Sequence, residues 1–329
     1  MKAMLWPALL SFALTLVLLR LLLWRFPRLA LDEPNARSLH TRAVPRTGGI
    51  ALLAGAACAL LLGAGELWLP FSLALSLAAI SFADDLRGVH VAVRLGAHFA
   101  AAGVLAWYLL TPMAAWQLAL LVVSVVWLTN LYNFMDGADG VAGGMALCGF
   151  GAYAAAAWSA GHAPLAALSV ALAASSAAFL LHNFHPARIF LGDVGAIALG
   201  FLAAALGLQG WRDDAWPLWF PLLVFGPFAA DATITVLRRA LKRERVWLPH
   251  QEYYFQRMVR MGLGHRRTAC TGYATMLFCA GAALYARTEP TDVQAAAFAA
   301  GTVLLAALAV WVDLRWARFC RASGSGSTA

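Results

Sequence analysis

Long apolar runs separated by short polar loops recur from one end of the chain to the other. Runs of about 17–25 apolar residues span the roughly 30 Å hydrocarbon core of a bilayer as helices. They predict eleven helices, over about 4–25, 48–64, 67–83, 93–110, 115–132, 143–160, 164–182, 194–210, 217–237, 267–286 and 292–312. The pairs at 48–83 and 143–182 are joined by very short turns containing Gly or Pro, as antiparallel neighbours are. The pattern therefore predicts an all-α, polytopic integral membrane protein with about 10–11 transmembrane helices. It reads as a single membrane domain over 1–321 and a flexible Ser/Gly tail over 322–329.

Composition agrees with the pattern: 62% of the 329 residues are hydrophobic and only 12% charged, which excludes a soluble domain. The first apolar run, 5–24, is too long for a signal-peptide core and lacks a small-residue cleavage site, so it reads as a retained span. Sorting the loops by side turns the net charge of +8 into topology. Lys2, Arg212 and Arg287 fall on one side and Arg20 within the first span; the remaining Lys and Arg residues lie in or beside loops on the other side. By the positive-inside rule the rich side is cytoplasmic, which puts the amino terminus outside and the carboxyl terminus inside. No basic stripe with interleaved aromatics points to nucleic acid. The five cysteines are scattered without metal-ligand spacing and read as buried thiols.

The same sorting gathers carboxylates. Asp84 and Asp85 follow the third run, Asp136 and Asp139 the fifth, and Asp193 the seventh, each at a span end on the cytoplasmic side. Five of only sixteen acidic residues thus converge on one face. Carboxylates at close quarters repel unless a cation joins them, and oxygen ligands suit Mg²⁺, or Mn²⁺ in its place. The segment 130–144, with its two Asp-Gly steps, is the centre of this set. Asp-Gly steps are also ordinary turn chemistry. On the same side, His40, Arg42 and Arg46 precede Gly48-Gly49, where backbone amides at a helix start and arginines would cradle a phosphate. The loop 238–266 offers His250, Gln256 and Arg257 among aromatics. Asp231 lies inside the ninth run and reads either as functional or as paired with a neighbouring helix. His98, His162, His182 and His185 lack ligand spacing and read as structural.

Taken in order, 45–49, Asp84-Asp85, 130–144, 183–195, 227–239 and 250–257 resemble the polyprenyl-phosphate N-acetylhexosamine-1-phosphate transferases, glycosyl transferase family 4. That family includes bacterial undecaprenyl-phosphate GlcNAc-1-phosphate transferases and the peptidoglycan translocase. The resemblance implies an enzyme of the bacterial cytoplasmic (inner) membrane with its active site on the cytoplasmic face. It would transfer a sugar-1-phosphate from a UDP-sugar to undecaprenyl phosphate, releasing UMP and starting a lipid-linked glycan such as O-antigen. It implies Mg²⁺ held by Asp193 and Asp139, and an attacking lipid phosphate oriented or deprotonated by Asp84 and Asp85. Asn133, Asp136 and Asp139 would shape the nucleotide and metal side. Asn183 and Arg46 would bind substrate, and His250 with Arg257 would hold the diphosphate. Partners implied are the lipid, the UDP-sugar and the bilayer, with a homodimer left open. Two departures matter: Arg46 stands near where relatives often carry other residues, and Tyr253 stands where relatives carry a second histidine. The second bears on the sugar and on how its pyrophosphate is held; Ala196, where a serine is common, is a lesser departure.

Two other classes compete. A CDP-alcohol phosphotransferase expects an Ala-Arg two residues after its Asp-Gly, which 136–142 lacks. A transporter or lipid flippase would explain the spans and Asp231, but not carboxylates gathered at span ends without a broken-helix pair at the midplane.

Overall fold

The computed structural model describes residues 2–34, 39–40, 42–246 and 250–322, with Lys2 and Ala3 as backbone only. In chain order the elements are α1 (Lys2–Arg25), β1 (Leu31–Asp32), β2 (Val44–Pro45), α2 (Gly48–Ala56), α3 (Cys58–Leu61), α4 (Trp68–Arg87), α5 (Val91–Leu110), α6 (Ala115–Phe134) and α7 (Val141–Ser159). They continue with α8 (Ala163–Asn183), α9 (Gly192–Arg212), α10 (Trp219–Val224), α11 (Gly226–Leu241), α12 (Tyr254–Met258), α13 (Gly264–Ala286) and α14 (Thr291–Ala322). The tail expected at 322–329 lies outside the described residues apart from Ala322, which ends α14.

All eleven apolar runs are helical, and among the described residues nine helices are long and apolar enough to cross a membrane. The other two runs are interrupted. The run at 48–64 forms α2 and α3 as a helical stretch over Gly48–Leu61 that is too short for a full span. The run at 217–237 breaks between α10 and α11. Pro227 has no N–H for the Leu223 carbonyl, and its ring opposes a helix running through from the preceding turn. The long loop expected at 238–266 is shorter than the apolar pattern suggests, because helix resumes at Tyr254. Asp231 is the reason. Its carboxylate accepts the backbone N–H groups of Tyr254 and Phe255, capping α12 from α11.

Helix α9 is the axis of the bundle. Almost all of it from Gly192 to Gly210 is buried, with small and aliphatic side chains on every face. Apolar all round, it can only be an interior helix. Small residues set how closely its neighbours approach. A Cβ on Gly49 would lie 2.4 Å from the Gly195 Cα, so α2 and α9 touch backbone to backbone there. By contrast, α1 and α14 turn Trp6, Val17, Trp24, Val303, Val310 and Leu314 outward. In water such a surface would aggregate; in lipid it is the solvent-facing surface.

Candidate active site

The functional side chains meet at one end of the bundle because the first polar loop is laced to the start of α9. The Phe190 N–H donates to the Pro45 carbonyl, and the Gly48 and Gly49 N–H groups donate to the carbonyls of Phe190 and Leu191. Gly192 follows with φ +72°, and a Cβ on it would lie 2.4 Å from the Arg46 carbonyl oxygen. Only glycine combines that conformation with that contact. These bonds correct one expectation: the amides of Gly48 and Gly49 are already satisfied, so they form no phosphate cradle. Arg46 remains. Its Nη1 is 3.8 Å from Asp85 Oδ1, and it lines a polar cleft with Asn133, Asp136, Asp139 and Asp193.

Asp193 lies within electrostatic reach of both Asp85 and Asp136. Asn133, one residue from the end of α6, hydrogen-bonds the Asp193 side chain, and the Gly192 N–H donates to Asp136. Burial pushes the Asp136 carboxyl up to about 7, and the nearby Asp193 charge adds to the rise. One oxygen of Asp85, Oδ2, is buried with no hydrogen-bond partner. An oxygen-only donor set with a buried orphan oxygen beside it fits a hard divalent cation such as Mg²⁺. Asp84 faces elsewhere: it accepts the Val89 N–H at 2.6 Å and pairs with Arg94. Arg94 in turn lines a second recess with His98, Asn130, Asn133 and Asp193. Asn133 and Asp193 therefore stand between two chambers.

Asp139 lines the same cleft and is held by its own partners. Its Oδ2 is 2.6 Å from His185 Nδ1 and accepts the Ala187 N–H at 3.2 Å, while Oδ1 is 3.6 Å from His265 Nδ1. Its carboxylate faces the 185–187 turn and the start of α13, whereas Asp136 receives the Gly192 N–H beside Asp193. Asn183 ties two loops, accepting from the Gly140 N–H and donating to the Ile189 carbonyl, and lines the cleft.

The 250–257 residues do not reach the cleft lining. His250 packs on Tyr253, whose ring stacks over Phe134 and Phe255. Burial, with the charges of Arg239 and Arg257 nearby, pushes the His250 imidazole down to about 4. Arg257 pairs with Asp313 at 3.1 Å and lies over the rings of Tyr254 and Trp316. Sequence reasoning missed His265 and Arg94 and set His185 aside. A lone histidine carries no spacing signal; Arg94, one short loop beyond Asp84, was within geometric reach of it.

The fold and cleft define a class: a polytopic α-helical membrane protein whose carboxylates and arginines meet at the span ends. Residues 67–211 match glycosyl transferase family 4, so the resemblance carried by the motifs is borne out. The chain is 28% identical over 264 residues to the probable undecaprenyl-phosphate N-acetylglucosaminyl 1-phosphate transferase of Bacillus subtilis, covering 74% of each. It is 28% identical to the decaprenyl-phosphate N-acetylglucosaminephosphotransferase of Mycobacterium tuberculosis, covering 87% of this chain and 82% of that one. It is also 42% identical over 89 residues to the phospho-N-acetylmuramoyl-pentapeptide-transferase of Geobacillus kaustophilus, over 27% of this chain and 28% of that one.

Proposed function

We propose that this protein transfers N-acetylhexosamine-1-phosphate from a UDP-sugar to undecaprenyl phosphate, releasing UMP and starting a lipid-linked glycan such as O-antigen or another cell-envelope polysaccharide. The names of the similar proteins support a polyprenyl phosphate acceptor. The observation that carries the reading is the convergence of Asp136 and Asp193 with Arg46 on one cleft at the span ends, with Asp85 beside Arg46. The charge asymmetry of the loops supports a cytoplasmic cleft in the bacterial inner membrane, with the amino terminus outside.

Phosphoryl transfer asks a protein for positioning and charge neutralisation rather than covalent chemistry. We take the step as direct displacement: an oxygen of the lipid phosphate bonds to the β-phosphorus of the UDP-sugar, and the bond to the α-phosphate bridging oxygen breaks. Arg46 faces the cleft with a guanidinium suited to a diphosphate. Asp85, beside Arg46, orients or deprotonates the attacking phosphate. Asp84 holds Arg94 at the edge of the second chamber, and Asn133 orients Asp193. Bound Mg²⁺, or Mn²⁺ in its place, would be held by Asp193 and Asp136 and would neutralise charge on the transferring group.

The test is UMP release by purified protein with Mg²⁺ and undecaprenyl phosphate, across a panel of UDP-N-acetylhexosamines. Release with one sugar, abolished by a chelator, is the expected result. No release with any sugar from folded protein would remove the reading and direct attention to other nucleotide donors, then to transport.

A further inference from the structure

The cluster of Asp139, His185 and His265 has no part in the transfer reaction as derived above. One carboxylate oxygen of Asp139 and one ring nitrogen from each histidine lie within 4.8 Å of one another. A tetrahedral ion with bonds of roughly 2.0–2.2 Å holds its ligand atoms about 3.3 Å apart. Small side-chain rotations close that difference.

Ring orientation is already arranged. His265 Nε2 is 3.2 Å from the Leu39 carbonyl oxygen, which can only accept, so Nε2 carries the proton and Nδ1 keeps its lone pair. That lone pair accepts the Asp139 backbone N–H at 3.3 Å, a long bond that the ion would replace. A carbonyl that fixes the tautomer from behind is the usual support of a metal-ligating histidine. The His185 ring lies parallel to that of His265 with centroids 5.1 Å apart. Its side chain is 42% exposed. Water can therefore carry its proton from Nδ1 to Nε2 and free the lone pair facing Asp139.

The donor types decide the ion. Two imidazoles and one carboxylate favour Zn²⁺, Co²⁺ or Ni²⁺ over Mg²⁺, which demands oxygen ligands. We propose that Asp139, His185 and His265 form a transition-metal site of the zinc type, distinct from the oxygen-only set of Asp136 and Asp193. Asp139 and His265 both line the cleft, so the fourth coordination position opens toward it and takes water or a phosphate oxygen. The ion ties the turn after α6, the turn after α8 and the start of α13 together, with Leu39 held behind His265.

The experiment uses untagged full-length protein in detergent, stripped of metal and supplied with excess Mg²⁺ to occupy the oxygen set. Co²⁺ is titrated in and followed by visible absorption. The expected result is an intense low-coordinate spectrum that saturates at one Co²⁺ per chain and is displaced by Zn²⁺. H185A and H265A should each weaken binding by at least about tenfold. Zn²⁺ should also raise the melting temperature of the wild type but not of H185A. Because His185 is exposed, H185A should still fold, so it decides the matter even if H265A does not. No saturable spectrum, or one unchanged in H185A, would overturn the site.

Discussion

Asp231 on α11 accepts the Tyr254 N–H at 2.8 Å through one carboxylate oxygen and the Phe255 N–H at 3.1 Å through the other. The two N–H groups belong to the first turn of α12, where no intrahelical partner exists. A carboxylate buried near a membrane invites a functional reading; here its oxygens are taken up by backbone. Asp231→Ala should leave two N–H groups without partners and destabilise the protein by about 3 kcal/mol. Denaturation in detergent checks this. A variant that keeps wild-type stability and loses only activity would return Asp231 to the catalytic machinery.

Asp193 is the carboxylate that the other groups converge on: Asn133 hydrogen-bonds it, and its charge acts on both Asp85 and Asp136. Asp193→Asn should cut UMP release by at least about a hundredfold, as loss of a principal charge-stabilising group does. The melting temperature should hold. Turnover close to wild type in the folded variant would remove Asp193 from the reaction.

Part of this site was legible in the chain. Asp84, Asp85, Asp136, Asp139 and Asp193 all fall at span ends, so sorting loops by side was enough to collect them. What was not legible depended on pairings across the bundle. His185 and His265 are eighty residues apart and meet only because α8 ends and α13 begins beside the Asp139 turn. The Gly48 and Gly49 amides looked free because nothing in 45–49 foretells the strand-like contact with 190–191. Hydropathy also read through the break at Gly226-Pro227, since apolar residues continue on both sides of it.

His250 gives a pH dependence of stability with a definite sign. Its folded value, about 4, lies below its ordinary 6.5, so between these the unfolded chain binds the extra proton. Stability is therefore intact above about 6.5, falls as pH drops toward 4, and then levels off with respect to this group. The half-buried ring limits the effect to about 1–2 kcal/mol. His250→Asn should lose this component. Melting curves from pH 4 to 8 for both proteins check it, and parallel curves would show that His250 is not held neutral.

Arg46 lies over the cleft with one guanidinium nitrogen 3.8 Å from Asp85. A contact to a charged ligand is worth about 1.5–3 kcal/mol, so Arg46→Ala should lower kcat/KM for the UDP-sugar by about 10–100-fold. Arg46→Lys should recover part of it, because an ammonium keeps the charge and loses the planar fork. Unchanged kinetics in Arg46→Ala would leave the diphosphate to other groups.

The two chambers separated by Asn133 and Asp193 should be separable by kinetics. One holds Arg46 and the Asp139 turn. The other is lined by Arg94, His98 and Asn130, and its rim is Val91, Leu95 and Phe134, apolar side chains that face outward as lipid-contacting residues do. On the proposed function, a phosphate on a prenyl chain would reach the second chamber without its tail leaving lipid, whereas a nucleotide arriving from water would meet the first. Arg94→Gln should therefore raise the KM for undecaprenyl phosphate by about tenfold, the loss of one charge-assisted contact. The KM for the UDP-sugar should stay within about twofold. Arg46→Ala should show the reverse split. Equal rises in both KM values for Arg94→Gln would mean that Arg94 acts through Asp84 on the whole site, and that the second chamber is not where the lipid phosphate binds.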